Sequence, residues 1–147
     1  MMLHLIKWEP IEDSQIISFF LSRYSKAPWA ESKAFCKAFD LELLSFETLE
    51  ESRAFISMAD NNSILKKLSN VWLWTDGITL TKKSTTDCYW TKTGTKISFP
   101  MDWYPGQPSG SDQYCLCVSK RSAKTKFGFN DLQCYDSYTI VCQRVES

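Results

Sequence analysis

Ile16 to Tyr24 reads Ile-Ile-Ser-Phe-Phe-Leu-Ser-Arg-Tyr, an apolar, β-prone run closed by Ser-Lys-Ala-Pro28, and predicts a strand. The period then changes. Trp29, Cys36 and Phe39 are spaced as one face of a helix, while Glu31, Lys33 and Lys37 can face water. After Leu41-Glu-Leu-Leu-Ser45, the run Thr48-Leu-Glu-Glu51 has the form of a capping box, in which the Thr side chain and the Glu three residues on satisfy free backbone donors. It predicts a second helix reaching Ala59 and ending near Asn61-Asn62. Short strands and loops follow, with strands expected at Val71-Trp-Leu-Trp74, Cys88-Tyr-Trp-Thr91, Cys115-Leu-Cys-Val118 and Tyr138-Thr-Ile-Val-Cys142. Between the second and third of these, Thr93 to Asp112 is rich in turn formers around Pro105-Gly-Gln-Pro108. A loop of that length inside a compact domain tends to carry function. Residues 1–15 have no clear period and read as an N-terminal arm, leaving 16–147 as a single domain.

Composition supports one ordered unit. The 147 residues are 44% hydrophobic and 14% aromatic, well outside the disordered range. Seventeen basic residues balance 17 acidic ones without long blocks of either sign, so neither nucleic acid nor an anionic membrane is an expected partner. The densest basic stretch, Lys120-Arg-Ser-Ala-Lys-Thr-Lys126, reads as a solvated loop. No run approaches the ~18 apolar residues that predict a membrane span, and the first eight residues lack the apolar core of a leader, so the leader of a secreted form would have been removed or would lie outside this sequence. Six cysteines, at 36, 88, 115, 117, 134 and 142, suggest disulfides and an oxidising compartment. Zinc is disfavoured, because His4 is the sole histidine and no Cys-x-x-Cys pair occurs. Asn61-Asn62-Ser63 is an N-glycosylation sequon, with Asn61 the acceptor. An enzyme is not expected. His4 lies in the arm, and Glu50-Glu51 fall on the exposed face of the second helix.

Five segments in order carry a resemblance. Trp29-x6-Cys36, Leu43-Leu-Ser-Phe-Glu-Thr-Leu-Glu-Glu51, Trp72-Leu-Trp-Thr-Asp-Gly77, Tyr89-Trp-Thr-Lys-Thr-Gly94, and the late group Trp103-Tyr-Pro-Gly-Gln-Pro-Ser109 with Asn130-Asp-Leu-Gln-Cys134 resemble the C-type lectin-like domain. The Trp-Thr-x-Gly strand is similar to that of secreted, single-domain insect members. The resemblance spans roughly Ile16 to Arg144. It implies an α+β, C-type lectin-like fold: two helices packed on small antiparallel sheets, a long loop region and disulfide staples. It also implies bridges Cys36–Cys142 and Cys115–Cys134. A third, Cys88–Cys117, is geometrically plausible if their strands are neighbours; otherwise both stay as thiols.

The same resemblance implies a calcium site that doubles as a sugar site. Gln107, Pro108, Asn130 and Asp131 match the family pattern; Ser109 stands where Asp or Asn is expected and Gln113 where Glu is expected. Asp112 is adjacent and can substitute for Gln113, while Phe129 replaces a tryptophan. The candidate calcium ligands and carbohydrate contacts are therefore Gln107, Ser109, Asp112, Gln113, Asn130 and Asp131. With one or two carboxylates among them, calcium binding is expected to be weak. Two vicinal sugar hydroxyls would complete the ion's coordination. Gln-Pro-Ser matches neither the mannose nor the galactose triplet of the family, so sugar preference is not carried over. Two functions compete: a secreted, innate-immune glycan-binding protein that uses calcium, and a calcium-independent lectin-like domain whose long loop binds a protein partner. Trp72, Trp74, Trp90 and Phe129 read as core, whereas Trp103 and Tyr104 suit either the core or a sugar face.

Overall fold

The computed structural model describes residues 3–8, 16–79, 87–109 and 114–146. Its strands are β1 (Leu3–Trp8), β2 (Ile16–Ala27), β3 (Glu42–Leu43), β4 (Val71–Thr79), β5 (Cys88–Trp90), β6 (Thr95–Lys96), β7 (Cys115–Lys120), β8 (Gly128–Leu132) and β9 (Tyr138–Glu146). Helix α1 (Trp29–Ala38) and helix α2 (Leu49–Asn61) lie between β2 and β4. The expected antiparallel sheets join into one, ordered β1-β2-β9-β4-β5-β6, with β3 on β9, β7 on β4 and β8 on β7. A single parallel pair, Leu73 opposite Thr139, links the two halves.

The alternation of strand side chains sorts the core into two layers. On β4, Val71 and Leu73 join one buried cluster while Trp72 and Trp74 face the other; Leu116 and Val118 of β7 oppose Cys115 and Cys117 in the same way. Each layer has its helix. Phe55 and Ala59 of α2 pack with Phe46, Trp90 and Phe129, whereas Trp29, Phe35 and Cys36 of α1 pack with Trp74 and Ile140. Phe46 is the centre of the first layer, with ring centroids of Phe55, Trp90 and Phe129 at 5.5, 6.0 and 6.0 Å. A sheet buried on both faces needs near-continuous hydrophobic strands, which is what Cys115-Leu-Cys-Val118 supplies.

Both helices begin where the sequence indicates. Thr48 Oγ1 accepts from the Glu51 amide at 3.1 Å, and Glu51 Oε2 accepts from the Glu47 amide at 2.8 Å. Part of the supposed N-terminal arm is instead strand: Leu3–Trp8 pairs antiparallel with β2, from Leu3 opposite Ser22 to Trp8 opposite Ile17. β2 spends one edge on β9, and the backbone groups of its other edge need partners. Residues 9–15 lie outside the described part.

Cys36–Cys142 ties α1 to β9 and Cys115–Cys134 closes the segment after β7, with Cα separations of 5.4 and 5.2 Å. The third expected bridge does not form: Cys88 and Cys117 are buried thiols. Ile78 of β4 has Tyr89 on one side and Cys115 on the other, so β5 and β7 occupy opposite edges of β4. Cys88 is opposite Thr79 and Cys117 opposite Trp74, and the two belong to different core layers. No backbone adjustment of ordinary size brings such a pair within the ~7 Å Cα limit of a disulfide. Burial, reinforced by Asp131, pushes the Cys88 thiol up to about 11, and burial raises Cys117 as well.

A buried carboxylate crosses the α1 layer. Asp76, 1% exposed, accepts from Lys33 Nζ at 3.0 Å, Thr91 Oγ1 at 2.7 Å and the Lys92 amide at 2.8 Å. Lys33 Nζ also donates to Thr91 Oγ1 and lies 5.6 Å from the Trp29 ring centroid, whose own Nε1 donates to the Thr75 carbonyl at 2.8 Å.

Candidate functional site

Two tethers hold the long loop to β8, with a tight turn between them. The Phe129 amide donates to the Asp102 carbonyl, and the Tyr104 amide donates back to the Phe129 carbonyl, both at 2.9 Å; this is a short parallel bridge of Trp103 to Phe129. Next, the chain turns through Gly106, at φ 87°, with the Gln107 amide on the Tyr104 carbonyl, and Gln107–Pro108 is cis. Finally, the Ser109 amide donates to Asp131 Oδ1 at 2.8 Å, and Ser109 Oγ lies 3.3 Å from each carboxylate oxygen. The close approach depends on Gly128. A Cβ there would stand 2.5 Å from the Tyr104 nitrogen and 2.7 Å from its Cα, and backbone cannot move aside cheaply. We expect Gly128→Ala to cost about 2 kcal/mol by overpacking, read by urea unfolding, with the Tyr104 amide losing exchange protection more than the amides of α2.

Of the six sequence-predicted ligands, Ser109 and Asp131 are in direct contact, Asn130 is Asp131's neighbour on β8, and Gln107 precedes Ser109 by two residues. Asp112 and Gln113 lie outside the described residues. Asp131 is 2% exposed and Asn130 5%, with Asn130 Nδ2 donating to Ser119 Oγ at 3.4 Å. Two oxygens stand out. Gln107 Oε1 and Asn130 Oδ1 are buried without a hydrogen-bond partner among the described residues. Buried carbonyl oxygens of this kind are rare, and each costs about 1–3 kcal/mol if nothing coordinates it.

These oxygens define how a metal fits. The set comprises oxygen donors with amide carbonyls and a carboxylate, the chemistry of calcium rather than of zinc or copper. Asp131 is the sole carboxylate at the described candidate positions, and among the described residues no three His, Cys, Asp or Glu side chains converge. The residues suit calcium, with a low charge for it. The loop aromatics face inward. Tyr104 is buried with its hydroxyl donating to Thr125 Oγ1 at 3.2 Å, and Trp103 packs on the core with its ring 6.4 Å from Phe129. Sequence reasoning missed the tethering roles of the Ser109 amide and Gly128. The signal for the second was a glycine ahead of the Phe-Asn-Asp run.

The profile of the Lectin C-type domain matches residues 25–144, from the end of β2 into β9. The chain belongs to the C-type lectin domain family. This family is generally non-enzymatic. The human C-type lectin domain family 4 member A is 24% identical over 134 residues, covering 87% of this chain and 49% of that protein. The Drosophila melanogaster C-type lectin 37Db is 39% identical over 51 residues, 35% of this chain and 33% of that protein. The chain thus spans a third to a half of the length of these curated relatives. Among solved structures, the C-type lectin domain of murine dendritic cell inhibitory receptor 2, in complex with an N-glycan, has a TM-score of 0.68 at 22% identity, covering 88% of this chain and 91% of that one. A calcium-independent type II antifreeze protein reaches 0.60 at 20% identity over 96% and 97%. These likenesses establish the C-type lectin fold and show that proteins of this fold are not all sugar binders. Among the described residues, no helix is long and apolar enough to cross a membrane.

Proposed function

We propose that this domain is a secreted, innate-immune carbohydrate-binding protein whose long loop holds sugar through a weak calcium site. The supporting observation is the pair of buried oxygens without partners among the described residues, Gln107 Oε1 two residues before Ser109 and Asn130 Oδ1 one residue before Asp131, whose side chains are in contact. Gln107, Asn130 and Asp131 would hold the ion, joined by Ser109, Asp112 and Gln113 as that segment allows. When bound, calcium supplies open coordination positions for two vicinal sugar hydroxyls. The chain's own amide groups at Gln107 and Asn130 would donate to the same hydroxyls and fix their orientation. The sequon residue Asn61 is exposed in the last turn of α2, where an N-linked glycan would accord with secretion.

The second reading is a calcium-independent domain that binds a protein partner through the loop, and one observation favours it. Ser109 already approaches both Asp131 oxygens, so the carboxylate is engaged without an ion. Calorimetric titration of chelator-stripped protein with calcium separates the two. The lectin reading expects saturation at or below about 10 mM calcium and a rising Tm, both lost in Asp131→Ala. Absence of heat and of any Tm change leaves the protein-partner reading.

A further inference from the structure

A cavity of about 560 Å³ opens between α2 and the turn joining β7 to β8, within the range of small-ligand sites. Its charged lining is Arg53, Lys120, Lys124 and Lys126 against Asp60 and Asp102. The two carboxylates are engaged. Asp102 takes a two-point contact from Arg53, Nε at 2.8 Å and Nη2 at 3.2 Å, and Asp60 Oδ1 accepts from the Phe127 amide at 2.8 Å. The three lysines are left to set the field. Lys124 and Lys126 are exposed, but Lys120 is 1% exposed, in contrast to the solvated loop that its sequence suggests. Its Nζ lies 5.2 Å from the Phe127 ring centroid, and among the described residues no carboxylate forms an ion pair with it. Taking an ammonium this far out of water is costly even over a ring face, and an anion in the adjoining cavity would offset that cost.

We propose that this cavity is an anion-binding site for a sulfated saccharide, separate from the long-loop site and independent of calcium. The volume far exceeds a bare tetrahedral anion, and Ser57 adds a hydroxyl group to the lining, which suits a ligand carrying both sulfate and sugar hydroxyls. The sulfate group faces the lysines, and the engaged carboxylates Asp60 and Asp102 accept from hydroxyls.

The test uses the full chain with Ser63→Ala, which removes the sequon so that no glycan at Asn61 covers the rim, in excess chelator so that the calcium site is silent. Calorimetry with a heparin-derived sulfated tetrasaccharide is expected to show saturable binding that weakens with salt. The exposed double variant Lys124→Ala/Lys126→Ala is expected to weaken it about tenfold, and Lys120→Met at least as much, while Lys66→Ala/Lys67→Ala on the turn after α2 leaves it within about twofold. The desulfated tetrasaccharide, inorganic sulfate and inorganic phosphate are each expected to bind at least about tenfold more weakly than the sulfated sugar. Equal loss in the Lys66/Lys67 control would show diffuse surface attraction and overturn the site. Binding unchanged in Lys124→Ala/Lys126→Ala would overturn it also, a result that does not depend on Lys120→Met folding. Inorganic phosphate as tight as the sulfated sugar would reassign the cavity to a simple phosphate and overturn the saccharide.

Discussion

Replacing Cys36 and Cys142 together by alanine lowers the unfolding free energy by about 4–5 kcal/mol, a value that follows from loop length. The bridge closes 106 residues, against 19 for Cys115–Cys134, whose removal is expected to cost about 3 kcal/mol on the same account. Its effect exceeds the entropy alone in one respect. Both sulfur atoms sit in the α1 layer with neither cysteine exposed, so alanine leaves apolar space where Trp74 and Ile140 pack. Against a total of roughly 5–15 kcal/mol for a domain, the double variant is expected to be partly unfolded at 37 °C. Urea unfolding of both double variants gives the comparison. Equal costs for the long and short loops would show that the unfolded chain is not what these bridges restrain.

Asp76→Ala is expected to cost about 3 kcal/mol, near the lower end for breaking a buried ion pair. The carboxylate accepts three hydrogen bonds, and its loss leaves Thr91 Oγ1 and the Lys92 amide without their acceptor. Lys33 is different. Its side chain is 38% exposed and can turn to water, so Lys33→Met should cost under about 1 kcal/mol, the solvent-screened range. The two single variants and the double variant form a cycle that isolates the pair. A cost below about 1 kcal/mol for Asp76→Ala would mean that water, not Asp76, serves those donors in solution.

Much of the architecture was legible because local chemistry and global fold agree. Thr48 and Glu51 form the cap their spacing announces, and the change of period at Trp29 marks α1 at its first residue. The two bridges implied by the resemblance are present. What failed to show were features set by neighbours distant in sequence. β1 has no distinctive pattern and exists because β2 has an edge to fill. Cys88 and Cys117 look like a pair until β4 is placed between their strands. Gly128–Leu132 did not read as a strand, since Asn130 and Asp131 are polar residues buried for reasons of the site. Within the site, residue types pointed to Gln107, Asn130 and Asp131, but only geometry reveals that the side-chain oxygens of the first two lack partners among the described residues and that Ser109 leans on the third. Lys120 carried no warning of its burial, because a lysine at the end of a strand ordinarily reaches water.

The rungs that fasten the long loop to β8 at Asp102, Phe129 and Tyr104 are made by main-chain atoms. Such anchors are indifferent to the identity of the side chains they carry, provided Gly128 leaves room. With Gly106 and Pro108 kept for the turn, residues 105, 107 and 109 can therefore be varied as a display library on this scaffold, and new specificities can be selected without first solving the folding problem again.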